Sequence, residues 1–486
     1  MSALTLDLTP MAINRTAMYF IVRDTARHLI ELGLPVRLTA MGEALSVAVF
    51  VANDYALPQP FEQRVLERLH QMLATGPTPR AQRSVPNPQP GSVFLAFDPL
   101  YVFNRGAAAR TICFVLDLTP YTRPEWHDRN VSRFYAAAFD ALYDRSIDIV
   151  SISHSTSRDL WANFGIPRAR VTWVPLYDRF GACVEARDSR PVFLFVGSLE
   201  FRKNITRLVE GFAQSGLAAE GFALHIVGGD GHGAQAIREH AAGVPGVRFL
   251  GRLPDEALRQ EYAHCCALAY PSMWEGFGLP ALEGLRRGLP MLLADTGALP
   301  EVGGACATYA DPCSTISIAA GLRTLAEAFR AGRTEPPCDV AAQSAPYDKA
   351  AYLQTIVSLV RRHLSPVPGP ADTGPAARAL RTRAPVSRLG QWVLTHRTRI
   401  LPVGAADMPA DSFSLDYLYG IQQERRVALS RALGRVMTGG VLRVPVNLVY
   451  VLIEYVSLRL TTATVAAMIN EKVALKLGEA FDDRHG

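Results

Sequence analysis

Short apolar runs and amphipathic stretches alternate along the chain as far as about residue 364. In the first part, apolar runs typical of buried strands occupy 4–9, 35–40, 46–52, 92–97, 111–118, 147–153 and 170–176. Between them, apolar positions recur with helical spacing over 15–33, 61–73, 131–146 and 155–165. Ser155 is the predicted N-cap of the last of these helices. The alternation predicts a parallel sheet that is covered by helices on both faces.

The alternation stops over 177–191, which predicts a linker, and then starts again. In this second part, strands are predicted at 192–197, 222–228, 247–251, 267–272 and 290–295, with helices between them. We therefore expect two doubly wound, Rossmann-like α/β domains, at 1–177 and 190–346, with a closing helix at 347–364 that belongs to the first. Two such domains leave a cleft lined by the carboxyl ends of their strands, where ligands bind.

The residues after 364 have a different composition. Residues 365–391 are rich in Pro, Ala and Arg and predict a basic linker, and 392–486 predict a helical C-terminal extension. The segment from Arg361 to Arg399 contains many arginines but only one acidic residue, Asp372. Two interpretations are equally good: peripheral contact with an anionic membrane surface through 361–469, or a small helical domain packed on the main body or on a second subunit.

Composition excludes several classes of function. A length of 486 residues is too great for one ordinary core, and a net charge of +5 does not indicate a nucleic-acid partner. The seven cysteines include no Cys-x-x-Cys pair, so we interpret them as reduced thiols of a cytosolic protein. No secretory signal is visible, and no stretch reaches the roughly 18 uncharged residues of a membrane span.

The segment "FVGSLEFRKN" (195–204) combines an apolar strand with charge at its end. Arg202 and Lys203 follow the strand on a short loop, and a helix is predicted to begin near Asn204. Adjacent cations beside a helix N-terminus at the edge of a cleft favour a phosphate or diphosphate ligand.

The segment "WEGFGLPALE" (274–283) places two glutamates on either side of a glycine-rich turn. Pro280 suits the first turn of a helix, so the amides of 277–279 are expected to point into the cleft. A carboxylate repels phosphate, and Glu275 and Glu283 are therefore expected to accept hydrogen bonds from hydroxyl groups. A nucleotide sugar requires this combination. Cations and backbone amides bind its phosphates, and carboxylates accept hydrogen bonds from its hydroxyls.

A third segment, "GGDGHGA" (228–234), matches the spacing of a dinucleotide-binding loop. The acidic residue that such a site requires about 20 positions later is missing, because that region reads "VRFLGRL". We interpret the segment as a turn, either near the nucleotide or simply structural.

Together these segments resemble a known family. Residues 195–204, 225–231, 247–304 and 309–312 resemble the retaining GT-B glycosyltransferases of family 4, also called glycosyl transferases group 1. The likeness covers the second domain from about 192 to 315 and extends weakly into 114–130 and 151–175. It implies the GT-B fold of two Rossmann-like domains facing a cleft.

The resemblance also implies an activity. Such an enzyme moves a hexose of the mannose or glucose type from a nucleotide-diphosphate sugar, such as a GDP- or UDP-hexose, to a saccharide or lipid-linked acceptor. It acts with retention and without a metal or other cofactor, in bacterial-type polysaccharide or glycolipid biosynthesis. The sequence contains no Asp-x-Asp motif, which agrees with this expectation.

Roles for individual residues follow from the same resemblance. It implies that Arg202 and Lys203 hold the donor diphosphate and that Glu275 contacts the donor sugar, which makes these three the catalytic candidates. It assigns the nucleotide ribose to Glu283. The other donor-binding candidates are Gly197, Gly276, Phe277, Gly278, Leu279, Arg252 and Leu253.

The first domain departs from the family pattern. Many relatives have a His-Asp pair where this chain has Leu116 and Asp117. Asp117, together with Asn14 and Arg15 of the first loop, is an acceptor-side candidate. His127 and His154 occupy other positions of the pattern, and we interpret them as surface or loop residues.

Two other classes of function stay open. One is a different GT-B enzyme such as a phosphorylase, although no cofactor lysine is identifiable. The other is a non-catalytic relative that binds a nucleotide sugar or serves as a scaffold, for which Leu116 is the best argument. We expect a cytoplasmic protein, peripheral at the inner face of the cell membrane if the tail meets it. The donor base, the sugar, the acceptor, the linkage and the oligomeric state are not encoded in any motif.

Overall fold

A computed structural model of the chain describes residues 4–13, 17–75, 89–106, 108–127, 129–164, 166, 168–181, 188–231 and 233–364. Two parallel sheets lie in this part of the chain, each covered by helices. The predicted basic linker (365–391) and helical extension (392–486) lie outside the described residues.

The first sheet has seven strands in the order β3-β2-β1-β4-β5-β6-β7. Its strands are β1 (Leu4–Asp7), β2 (Val36–Ala40), β3 (Glu43–Leu45), β4 (Gln89–Ala96), β5 (Ala108–Val115), β6 (Ile147–Ser151) and β7 (Val171–Trp173). All neighbours pair in parallel except β2 and β3, which form an antiparallel edge. The parallel strands are buried because helices cover both faces of the sheet.

The helices of this domain connect its strands. They are α1 (Thr9–Ile13), α2 (Ala17–Glu31), α3 (Val47–Ala52), α4 (Gln59–Thr75), α5 (Thr119–Thr122), α6 (Arg129–Ala141) and α7 (His154–Phe164). Short 3₁₀ helices lie at Pro99–Asn104, Pro124–Trp126 and Arg168–Arg170.

The second sheet has six parallel strands in the order β10-β9-β8-β11-β12-β13. They are β8 (Arg190–Val196), β9 (Ala223–Val227), β10 (Val247–Gly251), β11 (Cys265–Tyr270), β12 (Met291–Ala294) and β13 (Ala307–Ala310). The helices are α8 (Ile205–Ser215), α9 (Ala234–Ala241), α10 (Asp255–His264), α11 (Leu279–Arg286), α12 (Leu299–Gly303), α13 (Thr315–Arg330) and α14 (Val340–Ser344). The central strand β11 is buried along its whole length.

The last described helix, α15 (Lys349–Leu364), crosses back to the first domain. Its Tyr352 hydroxyl lies 3.1 Å from the Thr25 hydroxyl of α2, and its ring packs beside Phe114 of β5 and Tyr177. The helix therefore completes the core of the first domain.

Three details of the predicted elements are wrong. Residues 46–52 form the helix α3 and not a strand, and within it only Phe50 is buried. The cap of α7 is Ser153 and not Ser155, because the Ser153 hydroxyl accepts the Thr156 amide at 2.9 Å. Strands β3 and β13 were not predicted at all.

The cysteines give a further correction. We expected reduced thiols throughout, but the structure joins Cys306 and Cys338 in a disulfide with a Cα–Cα distance of 5.1 Å. Cys113, Cys265 and Cys266 are buried and lie outside this disulfide, and Cys313 is exposed. The pairing links the loop before β13 to the segment before α14, two points that the fold brings together and that the sequence does not mark.

None of the described helices combines the length and the apolar character that crossing a bilayer requires.

Candidate active site

The predicted site residues of the second domain lie on loops that leave neighbouring strands at one edge of the sheet. Strand β8 ends at Val196, and Arg202 and Lys203 follow on a 3₁₀ turn that leads into α8. Strand β11 ends at Tyr270, and its loop carries Glu275. Because β8 and β11 are paired in parallel, both loops emerge at the same edge.

Glu275 and Lys203 meet at the centre of this edge. The Lys203 Nζ atom lies 2.7 Å from Glu275 Oε1 and 2.8 Å from the Tyr270 hydroxyl. The Tyr270 and Ser272 hydroxyls donate to the same carboxylate oxygen at 2.8 and 2.7 Å. Oε1 of Glu275 thus accepts three hydrogen bonds, and the network is almost completely buried.

The electrostatics of this network keep it ionised. Burial would raise the pKa of Glu275, but the charges of Lys203 and Arg202 and the hydrogen bonds from Lys203 and Ser272 lower it to about 2. Burial and the charge of Arg202 lower the pKa of Lys203, whereas the Glu275 carboxylate opposes that shift. Glu275 is therefore a carboxylate at every physiological pH, and it is the partner that holds the buried ammonium.

Arg202 is the second cation of the turn and is held by two carboxylates. Its Nε donates to Glu200 at 3.2 Å and its Nη1 donates to Oε2 of Glu275 at 3.4 Å. An ammonium has three N–H donors and a guanidinium has five, so Lys203 and Arg202 both keep donors beyond these bonds. Since Glu200 and Glu275 neutralise the two cations, an anion would be held here by short-range hydrogen bonds and not by net charge.

The turn between Glu275 and α11 presents backbone donors beside these cations. Within the described part of the chain, the amides of 276–279 donate no hydrogen bond. Gly278 has φ +89°, and a Cβ there would lie 2.6 Å from the Leu299 side chain, so only glycine fits this position. As the sequence predicts, Pro280 lies in the first turn of α11. The geometry offers an amide cradle of the kind that binds phosphate oxygens.

Glu283, one turn into α11, is also buried, and each of its carboxylate oxygens accepts one hydrogen bond. Its Oε1 accepts from Arg179 Nε at 3.1 Å, and its Oε2 accepts from the Tyr262 hydroxyl at 2.7 Å. Burial raises the pKa of Glu283, and the Arg179 charge and the Tyr262 hydrogen bond oppose that rise. Arg179 lies in the predicted linker 177–191. The sequence analysis did not single out this residue.

Gly197, Arg252 and Leu253 lie at the ends of strands in the same sheet. Gly197 directly follows β8, and its carbonyl would be 1.8 Å from a Cβ at Gly228, so the two strand ends touch. Arg252 is exposed and Leu253 is half-buried in the loop between β10 and α10. Asp255, two residues further on, accepts from Arg179 Nη1 at 3.1 Å, which ties this loop to Glu283 through one guanidinium.

The glycine-rich segment 228–234 is explained by packing. A Cβ at Gly231 would lie 2.7 Å from Glu200, and one at Gly233 would lie 2.4 Å from the Phe201 ring. These glycines make room for the turn that carries Arg202 and Lys203. Packing therefore accounts for Gly231 and Gly233 without a ligand.

The first domain faces this network across the cleft. A Cβ at Gly276 would lie 2.0 Å from the Leu116 carbonyl oxygen and 2.8 Å from the Asp117 Cβ, so the two walls touch at this point. Asp117 Oδ1 accepts from the amide and the hydroxyl of Thr119, at 2.8 and 2.5 Å. The predicted acceptor-side residue Asp117 is thus near Gly276, whereas Asn14 and Arg15 lie outside the described residues.

His127, interpreted above as a surface or loop residue, lies directly after the 3₁₀ helix Pro124–Trp126. Its ring is half-buried, and Nε2 lies 3.0 Å from the Thr119 hydroxyl, which itself is bonded to Asp117. Burial lowers the pKa of His127, and the charges of Asp117, Glu200 and Arg202 act on it as well. His127 therefore faces the second domain across the cleft. His154 instead stacks on Trp173, with ring centroids 4.4 Å apart.

A contact at the rim joins the two domains directly. The Glu301 carboxylate of α12 accepts the amides of His154, at 2.8 Å, and of Ser155, both at the N-terminus of α7. The backbone carbonyl of Glu301 is held by Gln343 and Tyr347. A carboxylate at a helix N-terminus is favourable, so this contact stabilises the closed arrangement of the walls.

The sequence analysis missed Arg179, Tyr262, Tyr270 and Glu301. Tyr270 lies within the predicted strand 267–272 that leads into the site, and this position was a usable signal. Arg179 and Tyr262 carry no local signal, because their importance comes from contacts with a glutamate far along the chain. Within the described ranges, no group of three His, Cys, Asp or Glu residues is arranged to hold a metal ion.

Comparison with known proteins identifies the second domain. Residues 183–328 match the family model described as glycosyl transferases group 1. That match spans both loops of the network, from Arg202 and Lys203 to Glu275 and Glu283.

Similar curated sequences include the serotype-specific mannosyltransferase WbdA of Escherichia coli, which is 27% identical over 222 residues, 40% of this chain and 27% of that protein. The O-antigen chain mannosyltransferase B of Escherichia coli is 27% identical over 232 residues, 43% of this chain and 60% of that protein. The chain thus spans a minor part of the first relative and three fifths of the second.

Solved structures with the same architecture include Anabaena HepE in complex with UDP and glucose, with a TM-score of 0.52 and 15% identity over 74% of this chain and 99% of that one. The sucrose-phosphate synthase of Thermosynechococcus elongatus gives a TM-score of 0.51 and 15% identity over 74% of this chain and 98% of that one. At this identity the likeness concerns the fold alone, and it matches two Rossmann-like domains that face a cleft. The second α/β domain therefore matches the glycosyl transferases group 1 model, and the chain has the two-domain GT-B fold.

Proposed function

We propose that the protein transfers a hexose, of the mannose or glucose type, from a nucleotide-diphosphate sugar to a saccharide or lipid-linked acceptor. The observation that carries this proposal is the ionised network of Lys203, Arg202 and Glu275 beside the amides of 276–279. It forms a compact anion site at the strand ends of a group 1 domain.

Transfer requires the anomeric C–O bond to break, which leaves negative charge on the departing diphosphate. The spare N–H donors of Lys203 and Arg202 and the free amides stabilise that charge where it develops, with no reorganisation during the reaction. Because the Lys203 ammonium is fixed by Glu275 and Tyr270, its remaining N–H is aimed before the donor arrives.

Glu275 has two tasks in this proposal. Its Oε1 atom is saturated by Lys203, Tyr270 and Ser272, so that oxygen orients the ammonium. Its Oε2 atom accepts only from Arg202 among the described residues, which leaves lone-pair capacity for a hydroxyl of the donor sugar. Glu283 accepts the ribose hydroxyls at the other end of the donor, and Gly197, Arg252 and Leu253 line the approach to the base.

The stereochemistry and the cofactor requirement are part of the same proposal. We infer retention of the anomeric configuration, because the sequence resembles the retaining family, and catalysis without a metal ion. Anomeric NMR of the product and assays in EDTA test these two points independently.

The relatives supply the class of substrate. Both curated relatives named above are mannosyltransferases, and one is named for the O-antigen chain. We therefore propose a mannose-type donor sugar and a saccharide acceptor, in polysaccharide or glycolipid biosynthesis. Peripheral contact with an anionic membrane through 361–469 stays a prediction, which sedimentation with anionic and with neutral vesicles tests.

A second candidate is a non-catalytic protein that binds a nucleotide sugar or acts as a scaffold. The observation that favours it is the wall of the first domain, where Leu116 offers no titratable group and its carbonyl touches Gly276. The two candidates differ in whether a bound donor is cleaved.

A donor screen decides between them. Thermal shift with UDP-, GDP-, ADP- and TDP-sugars identifies the nucleotide sugar that binds, and release of the nucleoside diphosphate then measures hydrolysis and transfer. We expect stabilisation by at least one donor, with slow cleavage in water. Stabilisation without cleavage across a broad acceptor set supports the second candidate, and no stabilisation by any donor contradicts the proposed transfer.

A further inference from the structure

Arg179 connects three parts of the molecule through one guanidinium. Its Nε atom donates to Glu283 of α11 at 3.1 Å, and its Nη1 atom donates to Asp255 of α10 at 3.1 Å. The guanidinium also lies over the Phe20 ring of α2, 4.9 Å from its centroid, and over Phe180 at 4.2 Å. Arg179 therefore touches both domains and lies between the proposed ribose residue and the loop that carries Arg252 and Leu253.

Glu283 depends on this contact to stay a carboxylate in a buried position. Its side chain is 5% exposed, and burial raises its pKa, while Arg179 is the strongest of the groups that oppose the rise. Asp178 acts against the carboxylate, and Arg287 acts in its favour. Without Arg179, the buried oxygen Oε1 loses its charged donor, and the ionised form of Glu283 becomes costly.

The hydrogen-bond geometry leaves room for a ligand on both oxygens. Arg179 uses one lone pair of Oε1, and the Tyr262 hydroxyl uses one lone pair of Oε2. A carboxylate has about four acceptor positions, so one on each oxygen remains. Each oxygen is held by one protein donor and keeps one acceptor position. Two adjacent hydroxyls, such as those of a ribose, fit this pair of acceptors.

We propose that Arg179 is a positioning residue for nucleotide recognition, which holds Glu283 as an oriented carboxylate that reads the ribose hydroxyls of the donor. This inference rests on the proposed function, which it deepens. Arg179 acts through Glu283 and touches no ligand itself. Because its guanidinium also lies on Phe20 of the first domain, ribose recognition is coupled to the closed arrangement of the two domains.

The test compares ribonucleotides with their 2′-deoxy counterparts. Binding of UDP, GDP and ADP and of dUDP, dGDP and dADP to the full chain is measured by isothermal titration calorimetry, for the wild type and for Arg179→Met. We expect the wild type to prefer the best ribonucleotide over its deoxy form by about tenfold or more, because a hydrogen bond to a charged group is lost. In Arg179→Met this ratio falls to about threefold or less.

A double-mutant cycle shows whether Arg179 acts through Glu283. Glu283→Gln alone is expected to lower the ribo-to-deoxy ratio, and adding Arg179→Met to it is expected to cause no further loss. The matched control is Arg330→Met, since Arg330 also combines an ion pair, with Glu220, and an aromatic contact, with Phe222, but lies at the end of α13. If Arg179→Met does not fold, Arg179→Lys is measured in its place, with a smaller loss of the ratio expected.

Each remaining outcome is decisive. An unchanged ratio in Arg179→Met overturns the inference and reduces Arg179 to a structural role. Tighter ribonucleotide binding by Arg179→Met also overturns it, because Arg179 would then compete with the ribose. If the wild type binds nucleoside diphosphates without any preference for ribose, the role of Glu283 and the inference fail while the proposed function stands. If the wild type binds none of the six, the proposed function fails first.

Discussion

The two walls of the cleft are built in different ways. On the second-domain wall, Lys203, Arg202 and Glu275 form a buried ionised network around Tyr270, and the backbone amides of 276–279 donate to no group among the described residues. On the first-domain wall, Leu116 is apolar and Asp117 is bonded to Thr119 within its own loop. The first wall thus contains polar groups that satisfy one another, whereas the second contains groups that are fixed and still have donors to offer.

In the proposed transfer, this difference divides the work between the two walls. Fixed cations and backbone amide donors stabilise charge that develops on a leaving diphosphate. The first-domain wall, of which Leu116 and Asp117 are described, is proposed to contact the acceptor. Substitutions on either wall test this difference.

The largest effect is expected from Lys203→Ala. The variant loses the N–H aimed at the leaving diphosphate, so kcat should fall by about 10²- to 10³-fold with a smaller change in the KM for the donor. Donor turnover is measured at a temperature where the variant is shown to be folded, with Arg330→Met as control. A change in KM alone would place Lys203 in binding and not in leaving-group stabilisation.

A large effect on stability is expected from Glu275. Its pKa of about 2 lies below the ordinary 4.5, so its contribution to stability is present above pH 4.5 and is lost as pH falls toward 2. Glu275 thereby contributes about 3 kcal/mol to the free energy of unfolding. Urea titrations between pH 2.5 and 6 should show a steeper pH dependence for the wild type than for Glu275→Gln. Equal slopes would contradict the ionised network.

An intermediate effect is expected from Glu283→Ala. The variant loses the acceptor for the ribose, so nucleoside diphosphates should bind about tenfold to a hundredfold more weakly, while turnover at saturating donor changes little. Calorimetric binding and steady-state kinetics measure the two quantities. Equal and small effects of Glu283→Ala and Lys203→Ala would mean that the cleft is assigned wrongly.

The smallest effect is expected on the pKa of His127, which lies on the first-domain wall. Burial lowers this pKa, and the positive charge of Arg202 lowers it further, so Arg202→Met should raise it. Proton–carbon NMR of the His127 ring as a function of pH measures it, and Arg330→Met should leave it unchanged. An identical His127 titration in Arg202→Met would show that the walls do not face each other in solution.

The donor wall could be predicted from the sequence because its residues are contiguous and follow apolar strands directly. The positions of Arg202, Lys203, Glu275 and Pro280 relative to β8, β11 and α11 all agree with the structure. The partners of Glu283 could not be predicted in the same way, since Arg179 and Tyr262 meet it only through the fold. The same holds for the disulfide between Cys306 and Cys338.

The first domain was predicted less well for a related reason. The run 46–52 is rich in valine and reads as a buried strand, but it forms α3 with Val49 and Val51 exposed and Phe50 alone buried. Composition cannot separate a short helix from a short strand when packing decides between them. The contact of His127 with Thr119 could not be predicted, because only the turns over 118–126 bring the two residues together.

Hydrogen exchange tests most directly the claim that the donor binds to the second-domain wall. Amide exchange is followed by mass spectrometry with and without the nucleotide sugar that binds best, in peptides that cover 195–204 and 274–283. We predict slower exchange in both, because the unused amides of 276–279 come to bind the diphosphate and the turn before α8 is held by Lys203 and Arg202. Binding of the donor with unchanged exchange in both segments would contradict the assignment of this wall.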